Sequence, residues 1–556
     1  MYCAHNKPLA LSRPPKCIAA ILALLLAFHA AAAGQQPDSS PAAAAQTWHI
    51  SGKVVDARSG QALARCAVEI NRTDNRSQSL SLETGDDGRF DFGGLRLGKY
   101  DLTAAKRGYL TQSYQEHEGF STAIAVGPEL KSEDLIFNLT PQAIFYGTVS
   151  DEAGEPIRRA QVHLYQDRNL DGIRSTQQRQ MVITDDLGIY EIPNIAPGNY
   201  FLSVSAQPWY AAGVNGPRPP MLFNDTQPGT GDSTLEVAYP TIFYPDAIDS
   251  DNAIPIPIRG GERIEANMTL TAQHAMRLHL SLARDQAGGA GVSIARTVFG
   301  QMEQIPTSVQ TNNEGVVEIS GVLPGRYEVT VTQSDGQSTQ STHFTADIAD
   351  GATQLSTDSG VGEVTVTGKV TSLDSKIRSA FINLVASHTH RGYVAPLNDA
   401  GEFTLQVVPG EYEFVAQIPQ MYVASVSSPN ALVKGRMLQV KAGDAPRLEI
   451  VAASGYGQIE GTAERAGHAT GGVMVLLAPE NAKDNQILFR RDQSDSDGTF
   501  LLSSIVPGRY RLLAIDDGWE LDWADPNVLA AYLKKSITVQ VHARDKFKQT
   551  VEVQSR

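Results

Sequence analysis

Short stretches of alternating apolar and polar residues recur along this chain, and five of them lie between the same two turns. Each begins at a turn containing Gly, continues into a strand whose apolar residues are spaced by two, and reaches a second turn followed by Tyr. The interval from the first Gly to the Tyr is 12, 12, 12, 11 and 12 residues. Period-two alternation is typical of a β-strand with one buried face. The pattern therefore predicts a β-hairpin repeated five times.

The turn residues of the five copies have the chemistry that such hairpins need. Gly supplies a positive φ without strain, and Pro presets φ for a type II turn. The Tyr is predicted to anchor the core, with its hydroxyl reaching a backbone partner at the sheet edge. The copies are Asp87-Gly88-Arg89-Phe90 with Leu97-Gly98-Lys99-Tyr100, Leu187-Gly188-Ile189-Tyr190 with Pro197-Gly198-Asn199-Tyr200, Glu314-Gly315-Val316-Val317 with Pro324-Gly325-Arg326-Tyr327, Ala400-Gly401-Glu402-Phe403 with Pro409-Gly410-Glu411-Tyr412, and Asp497-Gly498-Thr499-Phe500 with Pro507-Gly508-Arg509-Tyr510.

Each copy follows a strand that carries, or has replaced, a Gly-x-Val element. A chain of 556 residues is too long for one hydrophobic core, and successive Tyr anchors lie 100, 127, 85 and 98 residues apart, which suits one seven-stranded sandwich each. We therefore predict an all-β chain, a tandem array of five Greek-key β-sandwich domains, at 47–140, 141–272, 273–360, 361–453 and 454–556. The openings are Ser51-Gly52-Lys53-Val54, Tyr146-Gly147-Thr148-Val149, Met276-Arg277-Leu278-His279-Leu280 without the Gly, Thr367-Gly368-Lys369-Val370, and Glu460-Gly461-Thr462-Ala463.

The first residues are predicted to be a targeting segment rather than part of the fold. Positive charges at Lys7, Arg13 and Lys16 precede an apolar run from Ile18 to Phe28 and a run of Ala that ends at Ala33. This order is typical of a secretory signal peptide, which we place at 1–33. An uncleaved membrane anchor is the alternative, although the apolar run is shorter than a spanning helix needs. The Pro, Ser, Gln and Ala content of 34–46 indicates a flexible linker.

Charge and cysteine content exclude several classes of function. The net charge is −15, and removal of the three positive charges of the signal peptide makes it −18. Nucleic-acid binding depends on clustered Lys and Arg, so it is excluded. Only Cys66 lies beyond the predicted signal peptide, so no intramolecular disulfide and no thiolate metal site can form.

The openings and the two turns resemble the carboxypeptidase regulatory-like domain, a transthyretin-like or Cna-B-type β-sandwich classed with carbohydrate-binding-like folds. The segments Tyr239-Pro240-Thr241-Ile242-Phe243-Tyr244-Pro245, Gly457-Gln458-Ile459-Glu460-Gly461 and Trp523-Ala524-Asp525-Pro526 are similar to parts of secreted multi-repeat proteins of Gram-negative bacteria. The resemblance implies a secreted, periplasmic or outer-surface location. The name of a fold class does not identify a ligand, so the resemblance by itself assigns no function.

We find no motif for an enzyme. No His is followed three positions later by Glu, the pair that a zinc carboxypeptidase requires, and neither Gly-x-Ser-x-Gly, the P-loop motif nor His-Glu-x-x-His occurs. The regulatory-like part is present without the peptidase. We predict a non-catalytic protein that needs no cofactor, with a calcium site as the one open question.

That question concerns Asp167, Asn169 and Asp171, which are followed by Gly172. Oxygen ligands at alternate positions before a Gly match the first half of a calcium loop. The twelfth position, Gln178, is not a bidentate carboxylate, so the second half does not match. The segment is therefore either a weak calcium site or a polar hairpin loop.

Aromatic residues in two loops suggest a ligand site. One loop, an insertion at 207–252, holds Trp209, Tyr210, Phe223 and Tyr244, and the C-terminal loop holds Trp519 and Trp523. Exposed rings beside carboxylates can stack on sugars, whereas the same rings can equally close the end of their own sandwich. We therefore predict a cell-envelope or extracellular interaction and scaffold module that binds a protein partner or a polysaccharide. Carbohydrate binding through these loops is the alternative.

Overall fold

The structure, a computed structural model, describes residues 47–75, 79–211, 236–281, 291–311, 316–334, 339–355, 360–372, 377, 380–387 and 391–556. The predicted signal peptide and linker, Phe223, and the Glu314-Gly315 turn lie outside these residues. Thr47–Arg556 forms one compact body. Its described residues lie mostly in β-strands, which confirms the predicted all-β fold class. No described helix is long and apolar enough to cross a membrane.

The strands form five groups, which we call units 1 to 5, and each group surrounds an apolar cluster of its own. The predicted domain boundaries stay a prediction. Unit 1 contains β1 (Trp48–Asp56), β2 (Ala67–Arg72), β3 (Ser79–Glu83), β4 (Arg89–Leu95), β5 (Gly98–Ala105), β6 (Gln112–Ser113), β7 (Ile124–Val126) and β8 (Leu135–Leu139). One sheet has the order β4-β1-β8, and the other has the order β3-β2-β5-β6 with β7 also paired to β5.

Units 2 and 3 repeat this two-layer arrangement. Unit 2 contains β9 (Ala143–Asp151), β10 (Gln161–Leu170), β11 (Ile173–Ile183), β12 (Ile189–Ile195), β13 (Gly198–Ser205), β14 (Val237–Ala238), β15 (Ile242–Phe243), β16 (Ile256–Ile258), β17 (Arg263–Glu265), β18 (Met268–Leu270) and β19 (Gln273–His274). Its two main sheets have the orders β11-β10-β13-β15 and β12-β9-β17. Unit 3 contains β20 (Met276–Ser281), β21 (Gly291–Val298), β22 (Gln301–Gln304), β23 (Ser308–Thr311), β24 (Val316–Val322), β25 (Gly325–Ser334), β26 (Thr339–Ile348) and β27 (Val361–Gly362). Its sheets have the orders β20-β24-β23 and β22-β21-β25-β26-β27.

Unit 4 again has two sheets. It contains β28 (Val364–Ser372), β29 (Phe381–Ala386), β30 (Gly392–Pro396), β31 (Glu402–Val407), β32 (Gly410–Gln417), β33 (Met421–Ser427), β34 (Leu432–Lys434), β35 (Met437–Val440) and β36 (Arg447–Ser454). Unit 5 contains β37 (Gly457–Arg465), β38 (His468–Ala469), β39 (Met474–Pro479), β40 (Arg490–Gln493), β41 (Thr499–Ile505), β42 (Gly508–Ile515), α1 (Pro526–Leu533), β43 (Ile537–Val541) and β44 (Lys546–Gln554). Parallel pairing of β42 with β44 joins the strands of unit 5 into one eight-stranded sheet.

The Gly of each opening strand lies opposite the aromatic residue of the following hairpin. The pairs are Gly52 with Phe90, Gly147 with Tyr190, Gly368 with Phe403, and Gly461 with Phe500. A Cβ at Gly52, Gly368 or Gly461 would come within 3.0 Å of the last strand of the same unit, and at Gly368 and Gly461 also of the aromatic ring. A Cβ at Gly147 would come equally close to Ala266 O, between β17 and β18. Unit 3 has lost both partners, and Leu280 there pairs with Val317. The Gly therefore makes room for the neighbouring strand and the ring.

The five Tyr anchors have the same environment in every unit. Each is at most 8% exposed, and each hydroxyl donates to the carbonyl oxygen four residues earlier. That carbonyl precedes the tight turn, so the bond ties the end of one strand to the start of the next. The acceptors are Arg96 O at 3.0 Å from Tyr100, Ala196 O at 2.9 Å from Tyr200, Leu323 O at 3.0 Å from Tyr327, Val408 O beside Tyr412, and Val506 O at 2.7 Å from Tyr510.

Candidate functional site

Unit 5 does not contact unit 4 alone but packs against units 1 and 2. We call this contact the junction, formed by 115–125 of unit 1, 167–174 of unit 2, and 489–499 and 516–524 of unit 5. Backbone hydrogen bonds cross it at two places, from Ser496 N to Ala123 O (2.9 Å) and from Ala524 N to Gly172 O (3.0 Å). The last unit is thereby held to the first two.

Arg491 on β40 lies at the centre of the junction. Its guanidinium forms ion pairs with Glu118 of unit 1 and, at 2.8 Å, with Asp171 of unit 2. The rings of Phe120, Trp519 and Trp523 surround it at 5.1 to 5.6 Å. Its side chain is only 14% exposed, so the charge is largely desolvated and depends on these partners.

Trp519 and Trp523 were predicted either to form an exposed platform or to close the end of their own sandwich, and the structure places both inside the junction. They are 4% and 3% exposed. Trp519 stacks on His117 with ring centroids 5.9 Å apart, and Trp523 packs against Phe489 at 5.2 Å. Buried rings cannot form an open platform for a sugar, so this geometry disfavours the predicted ligand-binding role, which stays a prediction.

The predicted calcium residues lie at the tip of the hairpin formed by β10 and β11, also in the junction. Asn169 donates to Leu521 O (2.5 Å) and Asp522 Oδ1 (3.1 Å) and accepts from Gly172 N (2.8 Å). Asp167 pairs with Arg174 at 3.3 Å, while Asp171 pairs with Arg491. Among the described residues no group of three His, Cys, Asp or Glu side chains could hold a metal ion. Asn169 and Asp171 therefore make contacts between units, Asp167 pairs within its own hairpin, and calcium binding stays a prediction.

A second polar cluster joins β5 and β7 of unit 1 to the hairpin turn of unit 5. Lys99 Nζ lies 2.5 Å from Asp495 Oδ2 and 3.5 Å from Asp497 Oδ1. Ala123 N donates to Asp495 Oδ1 (3.1 Å) and Ala125 N to Ser496 Oγ (2.8 Å). Burial raises the pKa of Asp495, an effect that the Lys99 ammonium opposes. The turn of the fifth repeat thus covers an edge of unit 1.

Asp492, next to Arg491, gives the first testable prediction. Burial raises its pKa to about 6 from an ordinary value of 3.8. The native state therefore binds more protons than the unfolded chain between about pH 4 and 6, so stability falls as the pH rises through this window. Asp492→Asn removes the charge and keeps an oxygen that can accept the bond that Asp492 now accepts from Leu501 N (2.7 Å). We expect the variant to gain up to about 3 kcal/mol over the parent between pH 4 and pH 7.

Denaturant unfolding of parent and variant at pH 4, 5, 6 and 7 measures this gain. Asp399→Asn, at an exposed turn of unit 4, is the matched control. A difference between Asp492→Asn and the parent that stays constant over the whole pH range contradicts the prediction.

The aromatic loop of unit 2 differs from the junction because its tryptophan is open to solvent. Trp209 is 88% exposed and meets Tyr210 edge to face at 5.7 Å. Tyr244 is partly buried against the core of unit 2. The structure therefore brings Trp209 and Tyr210 together, whereas Trp519 and Trp523 lie in the junction.

Two of the repeated units match a known family of protein domains. Residues 49–127 and 145–215 match the family model of the carboxypeptidase regulatory-like domain. Units 1 and 2 therefore match this family. The resemblance predicted from the sequence is confirmed by these carboxypeptidase regulatory-like matches, while units 3 to 5 share the hairpin turns and Tyr anchors described above. Comparison with curated proteins gives no match.

Solved structures similar to this chain include two streptococcal pilins and a protein of Bacillus anthracis. The streptococcal ancillary pilin is 11% identical with a TM-score of 0.17, and the similarity covers 50% of this chain and 99% of the pilin. The minor pilin GBS52 of Streptococcus agalactiae is 13% identical with a TM-score of 0.19, covering 40% and 96%. The Bacillus anthracis TIE protein is 10% identical with a TM-score of 0.17, covering 91% and 74%. At these TM-scores the similarities support no conclusion about this chain.

Proposed function

We propose that the protein is an exported, non-catalytic interaction and scaffold module of the cell envelope or cell exterior. The observation that carries this proposal is the junction, which ties the last unit to the first two by ion pairs, stacked rings and backbone bonds. A chain whose units are fixed in this way can hold its loops and strand edges in a defined geometry for a partner. The signal-like first residues support export.

Shifted pKa values support a structural rather than a catalytic role. Perturbed carboxyl groups often mark active sites, but ion-pair networks perturb them too. Burial raises the pKa of Glu413, whose carboxylate accepts from Ile487 N (2.8 Å) between units 4 and 5. Asp495 has a raised pKa for the same reason between units 1 and 5. Contacts between units account for both groups.

The surface most suited to a protein partner is the edge formed by β11. Among the described strands, β11 pairs only with β10, so its other side offers backbone groups to an added strand. Met181 and Ile183 are 45% and 55% exposed on it, and Leu187 and Ile189 extend the apolar surface around the following turn. We propose that this edge accepts an extended segment of a partner protein.

Capture of a partner from the native envelope tests the scaffold role. The full chain without its signal-like segment serves as bait, with crosslinking, and is compared with Met181→Lys and Ile183→Lys. We expect the parent to recover one specific partner and each variant to recover it at least tenfold less, because a charge on the edge opposes strand addition. Leu80→Lys, at a position 50% exposed on β3, is the matched control and should retain the partner. Recovery of no specific partner by the parent, or equal recovery by all variants, rejects the proposal.

Carbohydrate binding is the second candidate function, and the 88% exposed indole of Trp209 supports it. An exposed ring beside Tyr210 can stack on the apolar face of a sugar. Loss of oligosaccharide binding in Trp209→Ala supports this candidate, and binding that is unchanged rejects the loop as the site.

A further inference from the structure

We propose that a cleft between units 2 and 3 is a binding site for a neutral oligosaccharide. The cleft has a volume of about 470 Å³. One wall is the 239–252 segment of unit 2, and the other is β21 with the turn that begins β25 in unit 3. Ligand sites occur preferentially where domains meet, and this volume lies in the range of known sites. The proposal is independent of the scaffold role.

The two walls offer polar groups that the described residues leave unused. Asp249 and Asp251 lie exposed on the wall of unit 2, and Arg326 lies exposed on the wall of unit 3. None of these three side chains has a hydrogen-bond or ion-pair partner in the part of the chain that the structure describes. The acids accept hydrogen bonds and the guanidinium donates them. A molecule in the cleft can therefore use acceptors on one side and donors on the other.

The charge of the cleft favours a neutral ligand. Arg296 lines it as well, with its guanidinium 5.5 Å from the centre of the Phe243 ring, Nη1 donating to Ile248 O at 3.5 Å, and Nε and Nη2 without a hydrogen-bond partner among the described residues. Together with Arg326 it opposes three carboxylates, Asp249, Asp251 and Glu328, which leaves a net charge of only −1, and Glu328 already accepts from Thr345 Oγ1 at 2.7 Å. An anionic polymer would meet the acidic wall, and an apolar ligand would desolvate five charges without replacing their hydrogen bonds. Hydroxyl groups both donate and accept, so a sugar satisfies both walls.

Apolar surface completes the match to a sugar. Ile305, Pro306 and Pro324 line the cleft between the charged groups. Sugar rings present C–H groups on their faces and hydroxyls at their rims, which suits apolar patches bordered by polar side chains. Tyr239, which also lines the cleft, is 8% exposed and so offers little of its ring. The cleft therefore selects a ligand with alternating apolar and hydroxylated surfaces.

Contacts between units 2 and 3 hold the two walls in place. Phe299 of unit 3 packs on Phe201 at 4.7 Å and on Tyr165 at 5.1 Å. Tyr165 donates to Glu303 Oε2 at 2.5 Å, across the same contact. A cleft that is fixed before binding loses less entropy when the ligand enters, which favours affinity.

Titration calorimetry with the full chain tests this inference. The probes are hexasaccharides of β-1,4-linked glucose, xylose and mannose and of α-1,4-linked glucose. We expect at least one to bind with a dissociation constant below about 1 mM. Asp251→Ala and Arg326→Ala should each weaken that binding at least tenfold, because each removes a group from one wall. Asp87→Ala and Arg89→Ala, at an exposed turn of unit 1, are matched controls that should bind as the parent does.

Three results would overturn the inference. The first is that the parent binds none of these hexasaccharides. The second is that Asp251→Ala and Arg326→Ala bind as well as the parent while Trp209→Ala does not, which assigns the sugar to the aromatic loop. The third is that triglycine, a dipolar peptide of similar polarity, binds in place of every sugar. None of these results changes the outcome of the partner-capture experiment, so failure of the cleft and failure of the scaffold role are distinguishable.

Discussion

Arg491→Ala is expected to release unit 5 from units 1 and 2 while all three units stay folded. The substitution removes two ion pairs and three cation–π contacts and leaves Glu118, only 17% exposed, without its cation. Breaking one partner out of a buried pair costs about 3–5 kcal/mol. That cost falls on the junction, because both carboxylates that pair with Arg491 belong to other units, Glu118 to unit 1 and Asp171 to unit 2.

Hydrogen exchange followed by mass spectrometry measures this release. We expect faster exchange in 115–125, 169–172 and 521–524 of the variant and unchanged exchange in β1, β9 and β37. Arg509→Ala is the matched control, since that arginine of unit 5 pairs with Glu480 at 3.5 Å with both side chains more than half exposed. Gly172→Val tests the same contact without changing a charge, because a Cβ there would lie within 3.0 Å of Trp523. Since the φ of +82° at Gly172 means that Val also strains its own turn, exchange in 521–524 of unit 5 is the readout for this variant. Unchanged exchange at the junction in both Arg491→Ala and Gly172→Val would show that these residues do not hold it.

The repeat was predictable because its signals are local. A turn Gly, a period-two strand and a Tyr at a fixed interval all lie within thirteen residues, so the sequence alone specifies the hairpin. The opening Gly was recognised as part of the pattern, but its reason was not visible. Gly52 and Phe90 are 38 positions apart in the chain, and only the strand register brings them opposite each other.

The junction was not predictable, because its partners are far apart in the chain and follow no period. Arg491 and Glu118 are separated by 373 positions, and neither belongs to a recognisable motif. Trp519 and Trp523 were predicted either to form an exposed platform or to close the end of their own sandwich, and neither alternative included partners from other units. His117 and Phe120 of unit 1 pack on Trp519, and Gly172 of unit 2 lies against Trp523. The alternation of Asp167, Asn169 and Asp171 likewise indicated oxygen ligands, and nothing local showed that Leu521 and Arg491 would be their partners.

Unit 3 shows what can replace an opening Gly and its aromatic partner. Leu280 and Val317 occupy those positions there and are 1% and 0% exposed. In unit 4 the same positions hold Gly368 and Phe403, and a Cβ on Gly368 would lie within 3.0 Å of the Phe403 ring and of Leu448 O. We therefore expect Gly368→Ala to destabilise unit 4 by about 3 kcal/mol, since added volume in a packed core forces strain.

Phe403→Val should relieve part of that strain. Alone it removes a buried ring and is expected to cost about 2 kcal/mol. In the double variant the new methyl group occupies space that the ring has left, so the loss should be smaller than the sum of the two single losses by at least about 1 kcal/mol. The residual cost comes from Leu448 O, a backbone atom that the second substitution does not move.

Hydrogen exchange of β28 and β31 at increasing denaturant gives the free energy of unfolding of unit 4 for each variant. Tryptophan fluorescence would not report on this unit, because the four Trp residues lie in other units. Gly362→Ala is the matched control, since a Cβ at Gly362 meets nothing within 4 Å. Additive losses in the double variant would mean that the ring is not what excludes a side chain at Gly368. In that case the parallel strand β36 alone would require the Gly, and the pairing of Gly with an aromatic residue in four of the five units would need another cause.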